Sequence, residues 1–177
     1  MAFYSEIKRR EQRFIELQKM FFVATAPKEG RINLSPKGMD TFRVLNKNRV
    51  FWLNLTGSGN ETAAHILDNH RITIMFCAFE GNPNILRLYG AARAIHPKDK
   101  EWKKSISLFP EIPGARQIFD IQIESVQTSC GMAVPFFDFI DHRNQLSDFA
   151  KEKGPKKIEQ YWKERNSTSI DGISTGI

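Results

Sequence analysis

The runs "RITIMFCAF" (71–79), "EGNPN" (80–84) and "ILRLYGAARAI" (85–95) decide the fold of this chain. The first and third are aliphatic and β-branched stretches of strand length, and the middle one carries the Gly, Asn and Pro of a turn. So short a connection makes the two strands antiparallel neighbours, because a parallel return needs a crossover of about a dozen residues or more.

The same alternation of strand and short turn extends toward the N terminus. "FFVATA" (21–26) is followed by the turn "PKEG" (27–30) and a hairpin partner, "RINLSPKG" (31–38). "TFRVL" (41–45) then leads through "NKN" into "RVFWLNL" (49–55), and the helical "ETAAHILDNH" (61–70) is inserted before the central pair. Toward the C terminus, "HPKDKEWKKSISLF" (96–109) is expected to be a helix with Pro97 in an early position. "FDIQIESVQTS" (119–129) has the period of a strand with one buried face.

Helices are expected at both ends of the chain. Ile7, Phe14, Leu17 and Met20 are spaced for one face of a helix over 5–20. A second helical region, from Arg143 to Arg165, is broken by "KGP", and the tail "NSTSIDGISTGI" favours neither helix nor strand. The fold class expected is therefore mainly β with flanking helices, a small barrel whose closure removes the edges of very apolar strands. The organisation expected is an N-terminal helix over 1–20, a barrel over 21–130 and a C-terminal helical extension over 131–177.

Bulk properties narrow the function. A chain of 177 residues, 41% hydrophobic and 26% charged, is long and apolar enough for one sizeable core. No apolar run approaches the roughly 18 residues of a membrane helix, and the first twenty positions are charged throughout, unlike a secretory leader. Two cysteines without paired spacing suggest neither a disulfide framework nor a zinc site, so the cytoplasm is the expected compartment. The net charge of +6 lies largely in helical segments where acids are interleaved, which describes a solvated face and not a nucleic-acid track. A small anionic ligand, such as a phosphorylated cofactor, fits that modest excess at least as well.

One stretch can seat such a ligand. In "NLTGSGNETAAHIL" (54–67), Ser58 and Glu61 have the spacing of a capping box, in which each side chain satisfies an amide of the first helical turn. The same amino end, with its free amides and dipole, favours a phosphate, and Gly57 and Gly59 permit close approach to the backbone. Lys37, in "SPKG", can reach a phosphate on its flexible stem, and Arg43 follows on the next strand. Arg31 is expected to point outward, and Arg87 to face away from Leu86 and Leu88.

Other chemistry is sparse. His65 and His70 lie five apart and do not share a helix face, while His96 and His142 are isolated. Cys77 reads as a buried small hydrophobe, and Cys130 has no neighbouring base. No metal site and no catalytic side-chain set emerge.

The run from "FFVATA" through "GRINLSPKGMDTFRVL", "RVFWLNLTGSGNETAAHI" and "RITIMFCAFEGNPNILRLYGAARAI" resembles the pyridoxamine 5'-phosphate oxidase-like flavoproteins, over roughly residues 18 to 130. "SCGMAVPFFDF" and "SIDGISTGI" resemble one branch of that superfamily. The resemblance implies an FMN-binding split β-barrel, a homodimer with the cofactor between subunits, and an FMN-dependent oxidoreductase of unknown substrate. The alternatives are a non-catalytic flavin- or haem-binding carrier, sensor or stress protein, and a barrel using a deazaflavin. The residues implied to bind the cofactor are Ser35, Lys37, Arg43, Thr56, Gly57, Ser58, Asn60 and Thr62; no catalytic residue is assigned. The vitamin-making oxidases carry a Ser-Arg-Lys run where this chain has Asn60, Glu61 and Thr62. Two phosphate-binding cations are thus missing, and pyridoxamine phosphate is not the expected substrate.

Overall fold

The computed structural model describes residues 1–177. Its elements run β1 (Ala2–Tyr4), α1 (Arg9–Leu17), β2 (Met20–Thr25), β3 (Asn33–Gly38), β4 (Phe42–Asn46), β5 (Arg49–Leu55) and α2 (Glu61–Asn69). They continue with β6 (Arg71–Cys77), β7 (Ile85–Ile95), α3 (Trp102–Ile106), β8 (Ala115–Ser129) and α4 (Gln145–Arg165). The strands form one antiparallel sheet in the order β3-β2-β6-β7-β8-β5-β4, with β1 added to β8.

The central pair behaves as its sequence dictates. Ile74 pairs with Leu88 and Phe76 with Leu86, and all four side chains are buried. Arg87 lies on the opposite face from Leu86 and Leu88 and donates to Ser129 Oγ at 3.1 Å. The sheet curls around a core of 18 buried residues that includes Phe21, Val23, Trp52, Ile74, Leu88 and Phe119. Within it, Trp52 stacks on Phe119 with centroids 4.8 Å apart, while Phe21 and Phe42 meet edge to face. A smaller cluster of Phe51, Leu53, Ile95, Phe109 and Ile118 packs on the other side of β5.

Four elements differ from the sequence expectation. The first helix spans only Arg9–Leu17, because the chain is already extended at Gln18 (φ −77°, ψ 135°). Residues 96–109 hold a helix only at Trp102–Ile106. Ahead of it the Asp99 carboxylate accepts the His96 amide at 2.7 Å, closing a turn that contains Pro97 in place of a longer helix. β8 begins at Ala115, and the short β1 escaped notice because three residues cannot display an alternation. The break in the C-terminal helix is where "KGP" puts it: Gly154 adopts φ 71° and ψ 164°, followed by Pro155. No helix is long and apolar enough to cross a membrane.

Candidate functional site

β3 has an inverted alternation that places the site. Its register sets Asn33, Ser35 and Lys37 opposite Thr25, Val23 and Phe21, whose side chains are buried. Ile32 and Leu34 accordingly point outward, 78% and 64% exposed. A strand that turns polar side chains inward needs something polar inside. What it faces is a cavity of about 290 Å³, closed on other sides by Trp52 and Asn54 of β5, the 57–60 loop, the first turn of α2 and Arg116 of β8.

The cavity holds two cations without a carboxylate partner. Lys37 forms no ion pair; its ammonium lies 5.4 Å from the centroid of the Trp52 ring. Burial, and secondarily the positive charge of Arg116, pushes Lys37 down to about 8 from 10.5. Arg116 is 3% exposed, and burial pushes it down to about 10. Its Nη1 donates to Asn166 Oδ1 at 2.6 Å and to the Gly59 carbonyl at 3.1 Å, while its Nε has no partner. A buried cation beside a half-buried one, neither ion-paired, is costly unless an anion joins them.

The polar wall is built from exchanged hydrogen bonds. Gln117 Nε2 donates to Asn60 Oδ1 at 3.0 Å, and Asn60 Nδ2 faces Gln117 Oε1 at 3.5 Å. Ser35 donates to Asn33 Oδ1 at 3.0 Å, and Asn33 Nδ2 donates to Thr62 Oγ1 at 3.3 Å. These contacts hold the hydroxyls and amides of β3 against the start of α2, whose first amides lack intrahelical acceptors.

Of the residues singled out in the sequence, Ser35, Lys37, Gly57, Ser58, Asn60 and Thr62 line this cavity. Thr56 and Arg43 do not. The Thr56 hydroxyl donates to the Gly114 carbonyl and accepts from Trp162 Nε1, both at 2.8 Å, so it ties β5 to the neighbouring loop and the C-terminal helix. Arg43 pairs with Asp40, donates to the Leu108 carbonyl at 2.7 Å and covers the Phe109 ring. The Ser58–Glu61 capping box does not form. Asn60 is the N-cap, without a side-chain cap bond, and the Glu61 carboxylate accepts the Ile170 amide at 3.1 Å. Arg31 is exposed and bound to Asp171, as its outward placement requires.

Arg116 is the residue that sequence reasoning missed. "ARQ" precedes the alternating run 119–129, and extending that strand upstream would have put a cation beside the buried Ile118. The histidines stay away from the cavity; His65 is buried with Nδ1 3.0 Å from Thr25 Oγ1. No group of three or more His, Cys, Asp or Glu side chains is placed to hold a metal.

A half-barrel with hydroxyls, a helix amino end and two cations lacking ion-pair partners around one small polar cavity has the chemistry to seat an oxyanion. The chain belongs to the pyridoxamine 5'-phosphate oxidase family, whose model matches residues 7–130. It is 33% identical, over 97% of its length and 76% of the other protein, to a pyridoxamine 5'-phosphate oxidase family protein of Aspergillus flavus, ustO. Among solved structures it resembles HupZ of Group A Streptococcus, with TM-score 0.55 at 19% identity, covering 75% of this chain and 99% of that one. It also resembles a FAD-binding protein of Mesorhizobium loti, with TM-score 0.51 at 14% identity, covering 72% of this chain and 97% of that one. The architecture is that of a split β-barrel.

Proposed function

We propose that this chain is an FMN-dependent oxidoreductase in which the cavity between β3, β5, α2 and β8 seats the flavin phosphate. The observation that carries the reading is the pair Lys37 and Arg116, which line one cavity with no ion-pair partner, Arg116 buried and its Nε left unpartnered. Ser35, Ser58, Asn60 and Thr62 would supply neutral hydrogen bonds to the same group. FMN, once bound, supplies the hydride chemistry; the chain orients it and neutralises its phosphate. Family membership supports a flavin, and the Mesorhizobium relative is named for a related one. No histidine, cysteine or methionine lines the cavity, so it offers no axial ligand to haem.

At about 290 Å³ the cavity is too small for a whole FMN, so with the phosphate seated the far end of the cofactor would extend beyond it. The ring would lie outside it, against a second copy of the chain, and we propose a homodimer on that ground. Exposed apolar side chains exist to support it: Met132, Phe136 and Ile140 are 83%, 80% and 94% exposed.

Titration of the purified apoprotein with FMN, riboflavin and FAD, followed by flavin fluorescence, tests the reading. FMN is expected to bind at least tenfold more tightly than riboflavin, about 1.4 kcal/mol. Equal affinities would remove the phosphate seat. Reduction of bound FMN by NADH or NADPH would support turnover, and light scattering at micromolar concentration should report twice the 20.4 kDa chain mass.

A further inference from the structure

The C-terminal tail lies beyond the matched family region, yet it reaches into the wall of the cavity. Asn166, fully buried at the end of α4, makes two side-chain bonds. Its Oδ1 accepts from Arg116 Nη1 at 2.6 Å, and its Nδ2 donates to the Gly57 carbonyl at 3.2 Å. One amide thus joins the buried cation to the loop that forms the rest of the seat.

The tail is folded so as to hold that amide still. The Thr175 hydroxyl donates to the Asn166 carbonyl at 2.5 Å, and the Thr175 amide donates to Ser167 O at 3.0 Å. Thr168 and Ser174 form a bridge, and Ser169 N donates to Ile173 O at 2.8 Å, closing a small hairpin-like turn. Outside contacts clamp this turn to the barrel: Ile170 N to the Glu61 carboxylate and Asp171 to Arg31. Two bonds of this tail, Asn166 to Gly57 and Ile170 to Glu61, reach residues that line the cavity.

We propose that Asn166, held by the 167–175 turn, is a positioning residue that fixes the Arg116 guanidinium in the cavity and thereby makes the site selective for a phosphorylated flavin over its dephosphorylated form. The role rests on the reading of the cavity as a flavin phosphate seat. An arginine side chain without such a stay samples several rotamers, and each ligand contact must then offset that freedom. With Nη1 engaged by two neutral acceptors, the cation stays in place with its charge uncancelled and its Nε free.

The test is a double-mutant cycle read by FMN and riboflavin affinity. Asn166→Ala should weaken FMN on the order of tenfold and riboflavin less than about twofold, since a charge-assisted contact to phosphate is what is loosened. Asn166→Asp keeps the shape and the acceptor but places a carboxylate on Arg116; it should also weaken FMN selectively, and it guards against loss of folding in the alanine variant. In an Arg116→Met background, Asn166→Ala should change FMN affinity less than about twofold. Equal losses for FMN and riboflavin, or an undiminished effect in the Arg116→Met background, would overturn the positioning role while leaving the flavin reading intact. Wild-type protein that binds neither flavin would overturn the flavin reading itself, and the positioning role with it.

Discussion

Lys37 stands on one edge strand of the sheet and Arg116 on a strand four places away, yet both face one cavity. Only curling of the sheet brings them together, and the charge of Arg116 is felt by Lys37. A flat sheet with this strand order would hold them roughly 19 Å apart at about 4.8 Å per strand. The site is therefore a product of barrel closure, and its chemistry depends on two like charges that the fold forces into proximity.

Burial of Lys37, and secondarily that proximity, makes the ligand-free protein pH-sensitive in a defined window. Lys37 titrates near 8 in the folded chain against 10.5 when unperturbed, so between these values the unfolded state binds more protons. Stability of the empty protein should accordingly rise as pH increases from about 8 to 10.5, and below 8 the full cost of burying the charge is present. Lys37→Met should flatten that rise and raise the stability of the ligand-free chain at pH 7. The same substitution should weaken FMN by about 1.5–3 kcal/mol and riboflavin far less. Wild-type FMN affinity should fall as pH climbs above about 8, where the free protein loses the Lys37 proton. Urea denaturation and fluorescence titration across pH 6–10.5 check both limbs, and a Lys37→Met chain that keeps the rise would assign it to another group.

Asn60, not Ser58, secures the start of α2. With no capping bond from Ser58, Ser58→Ala should change the stability of the flavin-free chain by less than about 0.5 kcal/mol. Asn60→Ala strands the fully buried Gln117 amide, whose Nε2 now donates to Asn60, and should cost about 1–3 kcal/mol. Denaturant midpoints of the two variants without ligand decide this. A loss near 1 kcal/mol for Ser58→Ala would restore the capping box.

Why the barrel was legible and part of the site was not follows from particular residues. Strands such as 71–77 and 85–95 advertise themselves because one whole face is apolar and the turn between them is short. That Lys37 and the 57–60 loop share one cavity could be anticipated because small residues at a helix amino end beside a cation form a local pattern. Arg116 has no such signature. Its role comes from a cavity formed by strands distant in sequence, and from an Asn166 contact across 50 residues. Arg43 lies outside the cavity: a cation on a core strand invites a ligand, but Asp40, three residues earlier, pairs with it. The capping box failed because its spacing is only permissive; Glu61 found a better donor in the Ile170 amide, far outside any local window.

Asp120 is the counterpoise on the outer side of the sheet. Its carboxylate accepts from Arg49 Nε at 2.8 Å and Nη2 at 2.9 Å and from Arg93 Nε at 3.0 Å, while itself 8% exposed. The bond to Asp120 holds Arg49 above the usual arginine range. Asp120→Asn leaves two guanidiniums side by side with only Glu101 near Arg93, and should cost about 1–3 kcal/mol, discounted for the partial exposure of both arginines. The loss should shrink as salt is raised, because screening relieves the repulsion. A salt-independent loss of the same size would point to packing.

Gly90 marks the bend on which barrel closure depends. Along β7 and β8 the register runs Tyr89 to Ser125 and then Gly90 to Ile123, so Glu124 is an extra residue on β8. This bulge tightens the local twist and brings the β8 backbone hard against Gly90. A Cβ at position 90 would lie 2.0 Å from the Gln122 carbonyl oxygen and 3.0 Å from its carbon, both backbone atoms that no rotamer change can move. The φ angle is unremarkable there, so close approach alone demands glycine. Gly90→Ala must therefore push the two longest strands apart or slip their pairing, and a slip by one residue would turn Leu86 and Leu88 out of the core. The expected cost exceeds about 4 kcal/mol, a large fraction of the ~5–15 kcal/mol that holds an ordinary domain folded. Circular dichroism and urea titration of Gly90→Ala beside Gly81→Ala provide the check. Gly81 lies in the 80–84 turn at φ 67° with nothing within 4 Å of an added Cβ, so only backbone strain, about 1–2 kcal/mol, is expected there. If Gly90→Ala were the milder of the two, the bulge would not be the constraint that shapes the barrel.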